Sequence, residues 1–233
     1  MLESATRKNR SRKTMNSPSL TALQEKLLAA LTPALRSLAL RGSIRSFRKN
    51  IVVIHEGDIG ESIYVLLQGS VRVFATDQEG REITYSTIQA GDYFGEMSLD
   101  GGPRSASVIT QEACVCSVVP RSQVREHLAE EPEFALDLVA QVIRRARSAT
   151  ETARNMALMD VYGRVVATLE GFEGPATDGA PVELKQLTHQ AVASRVGASR
   201  EMVSRLLKDL ERGGYIELGI KRITLLQKLP TRW

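Results

Sequence analysis

Binding a phosphate without a metal needs backbone N–H donors, best placed at a helix start, and a guanidinium. The stretch Gly95-Glu96-Met97-Ser98-Leu99-Asp100-Gly101-Gly102-Pro103-Arg104-Ser105-Ala106 supplies both. Gly95 lets the backbone approach a ligand closely. Glu96, Met97, Ser98 and Leu99 can form a short helix whose N–H groups face that ligand. Arg104 brings a permanent bidentate charge, and Ser105 a hydroxyl donor. Glu96 is the odd member, because a carboxylate repels phosphate. It makes sense if the ligand also carries a hydroxyl for the carboxylate to accept from, such as a ribose 2′-OH. The set points to a nucleotide with one phosphate charge. The same residues also suit a surface turn closed by an Arg–Glu pair.

A second constellation lies about eighty residues on, from Leu187 to Leu226. Thr188 can cap a helix His189 to Val196, and Gly197 allows a positive-φ turn. Ser199 can cap a second helix, Arg200 to Arg212, which ends at Gly213-Gly214. Tyr215 to Leu218 and Arg222 to Leu226 then read as a β-wing. This is the layout of a winged helix-turn-helix. Arg200, Glu201 and Arg205 stand near the start of the second helix, the end that enters the major groove. Arg reads guanine O6/N7, and Glu can accept from cytosine N4. Lys208, farther along, is expected to meet backbone phosphate. Ser199, Arg200, Glu201, Ser204, Arg205 and Lys208 form the candidate DNA-contacting set.

The elements that must position these groups are also legible. From Leu20 to Leu40 apolar residues recur at helical spacing. Residues 43–119 alternate short apolar runs with turn clusters such as Gln68-Gly69-Ser70 and Asp77-Gln78-Glu79-Gly80, which predicts a β-sandwich or barrel. A long helix is predicted from Glu131-Pro132-Glu133 onward. Ala135, Val139, Val142, Ala146, Ala149, Ala153 and Met156 form a heptad seam along it, suited to the same helix of a second subunit. Phe134, Leu138 and Ile143 offer a second apolar face for its own domain. Asp160 caps a further helix, Val161 to Leu169, and Gly171 to Pro181 reads as a loop. The expected division is a disordered basic tail at 1–18, a β-roll with an N-terminal helix at 19–130, a dimerisation helix and hinge at 131–158, and the DNA reader at 159–233.

The chain has 233 residues, 42% hydrophobic and 25% charged, which is ordinary for one or two globular domains. No apolar run reaches the length of a membrane span, and no secretory h-region is present, so a cytoplasmic protein with no membrane partner is expected. Residues 1–20 carry five basic and one acidic side chain, whereas 21–159 carry 15 and 17. The excess positive charge therefore sits largely in the tail, which could touch DNA phosphates. Cys114 and Cys116 share one face of a strand and read as buried free thiols. His55, His127 and His189 lack metal-ligand spacing, so no metal is expected.

The order and spacing of Gly95, Glu96, Arg104 and Ser105 resemble the cyclic-nucleotide cassette of the CRP/FNR regulator family. Val196-Gly197-Ala198-Ser199-Arg200-Glu201-Met202-Val203-Ser204-Arg205 is similar to that family's recognition helix, in the subgroup that reads TGTGA-type half-sites. The resemblance covers about Ile54 to Leu226. It implies an α+β fold: an N-terminal cyclic-nucleotide-binding β-roll of jelly-roll type, a long dimerisation helix and a C-terminal winged helix-turn-helix. It also implies that residues matching Gly95 and Glu96 approach the ribose, and that those matching Arg104 and Ser105 hold the cyclic phosphate. Adjacent hydroxyl residues on the dimer helix contact the base; here the positions are Ala149 and Thr150, so only the second hydroxyl is kept. An iron–sulfur branch needs N-terminal cysteines, and residues 1–113 contain none.

The expectation is a homodimeric bacterial transcription regulator, not an enzyme. Its partner is double-stranded DNA, with RNA polymerase added if it activates. A cyclic nucleotide acts as allosteric ligand, cyclic AMP favoured. Cyclic GMP, cyclic di-GMP, a constitutive DNA binder with a non-functional pocket, and a cupin-like enzyme are the alternatives.

Overall fold

Alternating side chains and frequent turns in the first half of the chain produce eight short strands in two sheets. The computed structural model describes residues 21–172 and 181–230. The basic tail and most of the Gly171–Pro181 loop lie outside the described residues. One sheet has the order β1 (Ser43–Phe47), β8 (Cys114–Pro120), β3 (Ser62–Gln68), β6 (Tyr93–Phe94). The other has the order β2 (Val52–Ile54), β7 (Ser107–Thr110), β4 (Ser70–Thr76), β5 (Glu82–Gln89). Neighbouring strands pair antiparallel throughout. Leu66, Val71, Ile88, Phe94, Val108, Cys114 and Cys116 form one buried cluster. The two thiols are free, and burial pushes that of Cys116 up to about 12, so both act as small apolar groups. The tight β3–β4 turn requires Gly69: its φ is 89°, and a Cβ there would lie 2.6 Å from the Ala113 carbonyl oxygen.

A second cluster joins the β3–β8 sheet to helices. The apolar stretch Leu20–Leu40 is predicted as one helix, but it forms two, α1 (Ala22–Ala29) and α2 (Pro33–Ala39). Proline lacks an N–H and clashes with the turn before it, so Pro33 starts a helix rather than continuing one. Thr21 and Gln24 close a capping box at the start of α1. A helix not anticipated from sequence, α3 (Arg121–Glu130), follows β8. Its apolar pattern is faint, and its buried residues are Val124 and His127.

The long helix α4 spans Pro132–Leu158, with Pro in its first turn as expected. Phe134 is 3% exposed and Leu138 packs beside it in the helical cluster. Ile143 does not join them and is 46% exposed. Val139, Val142, Ala146, Ala149 and Ala153 are exposed along the seam.

After the Asp160 cap, α5 (Val161–Glu170) leads to a third domain-like layer. Helices α6 (His189–Val196) and α7 (Arg200–Arg212) pack on a sheet of order β10 (Ile216–Gly219), β11 (Arg222–Leu225), β9 (Val182–Lys185). The wing thus has a third strand, β9, beyond the two read from sequence. Val165, Leu169, Val192, Val196, Val203, Leu207, Leu210, Ile216 and Ile223 are its core. No helix among the described residues is long and apolar enough to cross a membrane.

Candidate functional site

The β-roll builds its anion pocket around one guanidinium. Arg104 lies in the β6–β7 connection and is 7% exposed. Its backbone N–H donates to the Asp58 carbonyl, and its own carbonyl accepts from Gly57 N–H, so the main chain is pinned first. One terminal nitrogen then donates to the Gly95 carbonyl at 2.7 Å and to Ser98 Oγ at 2.8 Å. The other donates to the Ser62 carbonyl at 2.8 Å. Three of the five N–H groups of a guanidinium are thereby used, and two remain for a ligand. Burial pushes the Arg104 pKa down from its ordinary value, but nearby Tyr64, Glu96 and Asp58 oppose this.

Two glycines make that seat possible. Gly95 adopts φ 86° and opens a short 3-10 helix, Glu96–Ser98, as the sequence predicts. A Cβ at Gly60 would come within 1.9 Å of Arg104 Nε. Gly60 belongs to the site and was missed, because a glycine needed for space alone has no motif. Met97 is 58% exposed, and Ser105 Oγ lies 3.4 Å from its sulfur, leaving both at the pocket's surface. Ser98, by contrast, is buried and spends its hydroxyl on Arg104 and the Gly60 and Gly95 carbonyls.

Glu96 does not stand alone beside the anion site. Its buried carboxylate meets Arg145 of α4 at 2.5 Å, an ion pair without the alignment of a hydrogen bond. Arg145 also donates to the Tyr93 carbonyl at 2.7 Å. It was missed because it sits in an arginine-rich helical stretch, where solvent exposure is the ordinary fate. The pairing answers the like-charge problem posed by Glu96 and couples the cassette to α4. Thr150 is exposed farther along α4, and its hydroxyl donates to the Ala146 carbonyl at 3.0 Å.

The helix-turn-helix forms as the caps require. Thr188 Oγ1 accepts from Ala191 N–H, Gly197 turns at φ 63°, and Ser199 Oγ accepts from Met202 N–H. Val203, Leu207 and Leu210 bury one face of α7. Arg200, Glu201, Arg205 and Lys208 are exposed, and none enters an ion pair among the described residues. Ser199 and Ser204 differ from that group. Ser199 is committed to its cap, and half-buried Ser204 pairs its Oγ with His189 Nδ1 at 2.9 Å. Burial, then Arg200 and Lys208, hold the His189 pKa below the usual histidine range.

Comparison with known proteins follows the same division. The cyclic nucleotide-binding domain profile matches residues 44–131, and the Crp-like helix-turn-helix profile matches 163–228. The cAMP-activated global transcriptional regulator CRP of Escherichia coli O157:H7 is 33% identical over 186 residues, covering 78% of this chain and 89% of that protein. The global nitrogen regulator of Synechocystis is 31% identical over 211 residues, covering 87% and 92%. A CRP/FNR family regulator from Thermus thermophilus superposes with a TM-score of 0.64 at 27% identity, over 82% of this chain and 95% of that one. The c-di-GMP responsive regulator CLP of Xanthomonas campestris gives a TM-score of 0.74 at 23% identity, over 84% and 99%, a likeness of fold.

The Gly60 contact yields a test. Gly60→Ala should drive the Arg104 guanidinium from its seat and leave the Ser62 and Gly95 carbonyls without that donor. Chemical denaturation should show a loss of about 1–3 kcal/mol. An unchanged midpoint would mean that the guanidinium relocates at no cost.

Proposed function

The chain belongs to the CRP/FNR family of DNA-binding transcription regulators, and we propose that it is a homodimer gated by a cyclic nucleotide, cyclic AMP in the first place. The observation that carries this reading is the Arg104 seat. The protein holds the guanidinium by three bonds and leaves two N–H groups, the number a bidentate phosphate contact takes. Gly95, Glu96, Met97, Ser98, Arg104 and Ser105 are the proposed pocket. Ser98 serves by fixing Arg104 rather than by touching the ligand. Cyclic AMP is favoured over other bases because cAMP-activated CRP proteins are among the relatives above 30% identity. Thr150 supplies one hydroxyl for the base.

Exposed alanines at 146, 149 and 153 support a close two-fold approach of α4 against its partner. Met156 lies at the end of that seam, but its Cε approaches the Gly197 turn, so it serves the contact with the reader instead. Ligand at α4 would then bias the hinge at 158–160 and reposition the two copies of α7. A shift of this kind needs tighter binding to the active arrangement; equal affinity for both moves nothing. Arg200, Glu201 and Arg205 read bases in a TGTGA-like palindrome, and Lys208 meets phosphate. RNA polymerase is a partner if the protein activates.

Two measurements address the two halves. In calorimetry with cyclic AMP, cyclic GMP and cyclic di-GMP, Arg104→Ala should abolish nucleotide binding, and Arg104→Lys should restore it only in part, because lysine lacks the planar fork. Wild-type affinity in Arg104→Ala would end the cassette assignment. On single-base operator variants, Arg205→Ala should cost about 1–3 kcal/mol and relax preference at one guanine. A uniform loss across all variants would remove its base-reading role.

A further inference from the structure

The last turns of α4, the middle of α5 and the end of α6 line a solvent-open cavity of about 140 Å³. Its polar lining is Thr152 and Asn155 from α4, Arg164 and Thr168 from α5, and Arg195 from α6. No Asp or Glu among the described residues lines it. It has room for one tetrahedral oxyanion.

The two guanidiniums are held differently. Arg164 donates Nε to the Val196 carbonyl and a terminal nitrogen to the Met159 carbonyl, each at 2.8 Å. Neutral carbonyls orient this charge but do not neutralise it. The Arg195 guanidinium lies 4.3 Å from the centre of the Phe172 ring. Among the described residues Arg195 has no hydrogen-bond acceptor and no ion pair. Burial pushes its pKa below the ordinary value, and no carboxylate among the described residues opposes the shift. Asp160, the acid at the start of α5, spends Oδ1 on Gly163 N–H. A half-buried cation loses hydration, and an anion on the same cavity offsets that cost.

We infer that this hinge cavity is a binding site for a small tetrahedral oxyanion, inorganic phosphate being the simplest, held by Arg164 and Arg195 with the Thr152 and Thr168 hydroxyls. The site is separate from the Arg104 pocket. Its walls come from both sides of the hinge at 158–160, so an occupant ties the reader to α4 in the arrangement that brings these groups together. Ligand present in excess then stabilises that arrangement by mass action.

Titration calorimetry on the full chain tests the site, with inorganic phosphate against chloride at matched ionic strength. Saturable phosphate binding is expected. Arg195→Gln should weaken it by about tenfold or more, the loss of one charge-assisted contact. This variant breaks no hydrogen bond among the described residues but gives up the Phe172 ring contact, and its melting curve in chloride checks the fold. Arg104→Gln should bind phosphate as the wild type does. In the Arg104→Gln chain, adenosine monophosphate should bind no tighter than phosphate, because the contacts of the hinge site are to the phosphate alone. Binding unchanged in Arg195→Gln, lost in Arg104→Gln, absent in the wild type, or tighter for adenosine monophosphate in Arg104→Gln would each overturn the assignment.

Discussion

Much of the ligand-sensing half depends on how a cation is kept inside a β-roll. A guanidinium taken from water loses hydration that neutral peptide groups must replace. Arg104 meets this demand with carbonyls of β3 and the β6 turn and with one buried hydroxyl. These partners come from distant points in the sequence, so the two sheets must form before the site exists. Gly60 and Gly95 are glycines because the guanidinium occupies the space a side chain would need. The pocket and the fold are therefore one structure rather than a site grafted onto a scaffold.

Arg145 carries this constraint outward. By pairing with Glu96 and bonding the Tyr93 carbonyl, it ties the cassette to α4. Phe134 and Leu138 anchor the start of that helix, and its end runs to the hinge and the Gly197 turn. A ligand that alters the Glu96–Arg145 pair can thus bias the helix that bears the reader. A complete reversal of a two-state hinge requires a preference of about 10⁴-fold for one arrangement, so the coupling has to be built from several such contacts.

Helix caps were the most legible feature of the sequence. Thr188, Gly197, Ser199 and Asp160 each do locally what their residue type predicts, because a cap depends on near neighbours. The pocket order Gly95, Glu96, Arg104 was legible for the same reason: it lies within one short segment. What escaped depends on tertiary contact. Arg145 and Gly60 join the site across 49 and 44 residues from Glu96 and Arg104. Strand β9 alternates over only four residues, Val182–Lys185, and becomes a strand by pairing with β11. The break at Pro33 was readable, and the apolar spacing across it masked the boundary. Ser204 looked like a DNA-facing hydroxyl from its place on α7, but His189 claims it.

Operator affinity with and without saturating cyclic AMP, measured by fluorescence anisotropy at fixed salt, tests the link between the two halves most directly. Salt must be held constant because phosphate contacts make affinity strongly salt-dependent. A gated reader binds its palindrome about 5–150-fold more tightly with the nucleotide, and the operator tightens nucleotide binding by the same factor. Equal operator affinity in both conditions, with nucleotide bound, would contradict gating and leave a constitutive DNA-binding protein.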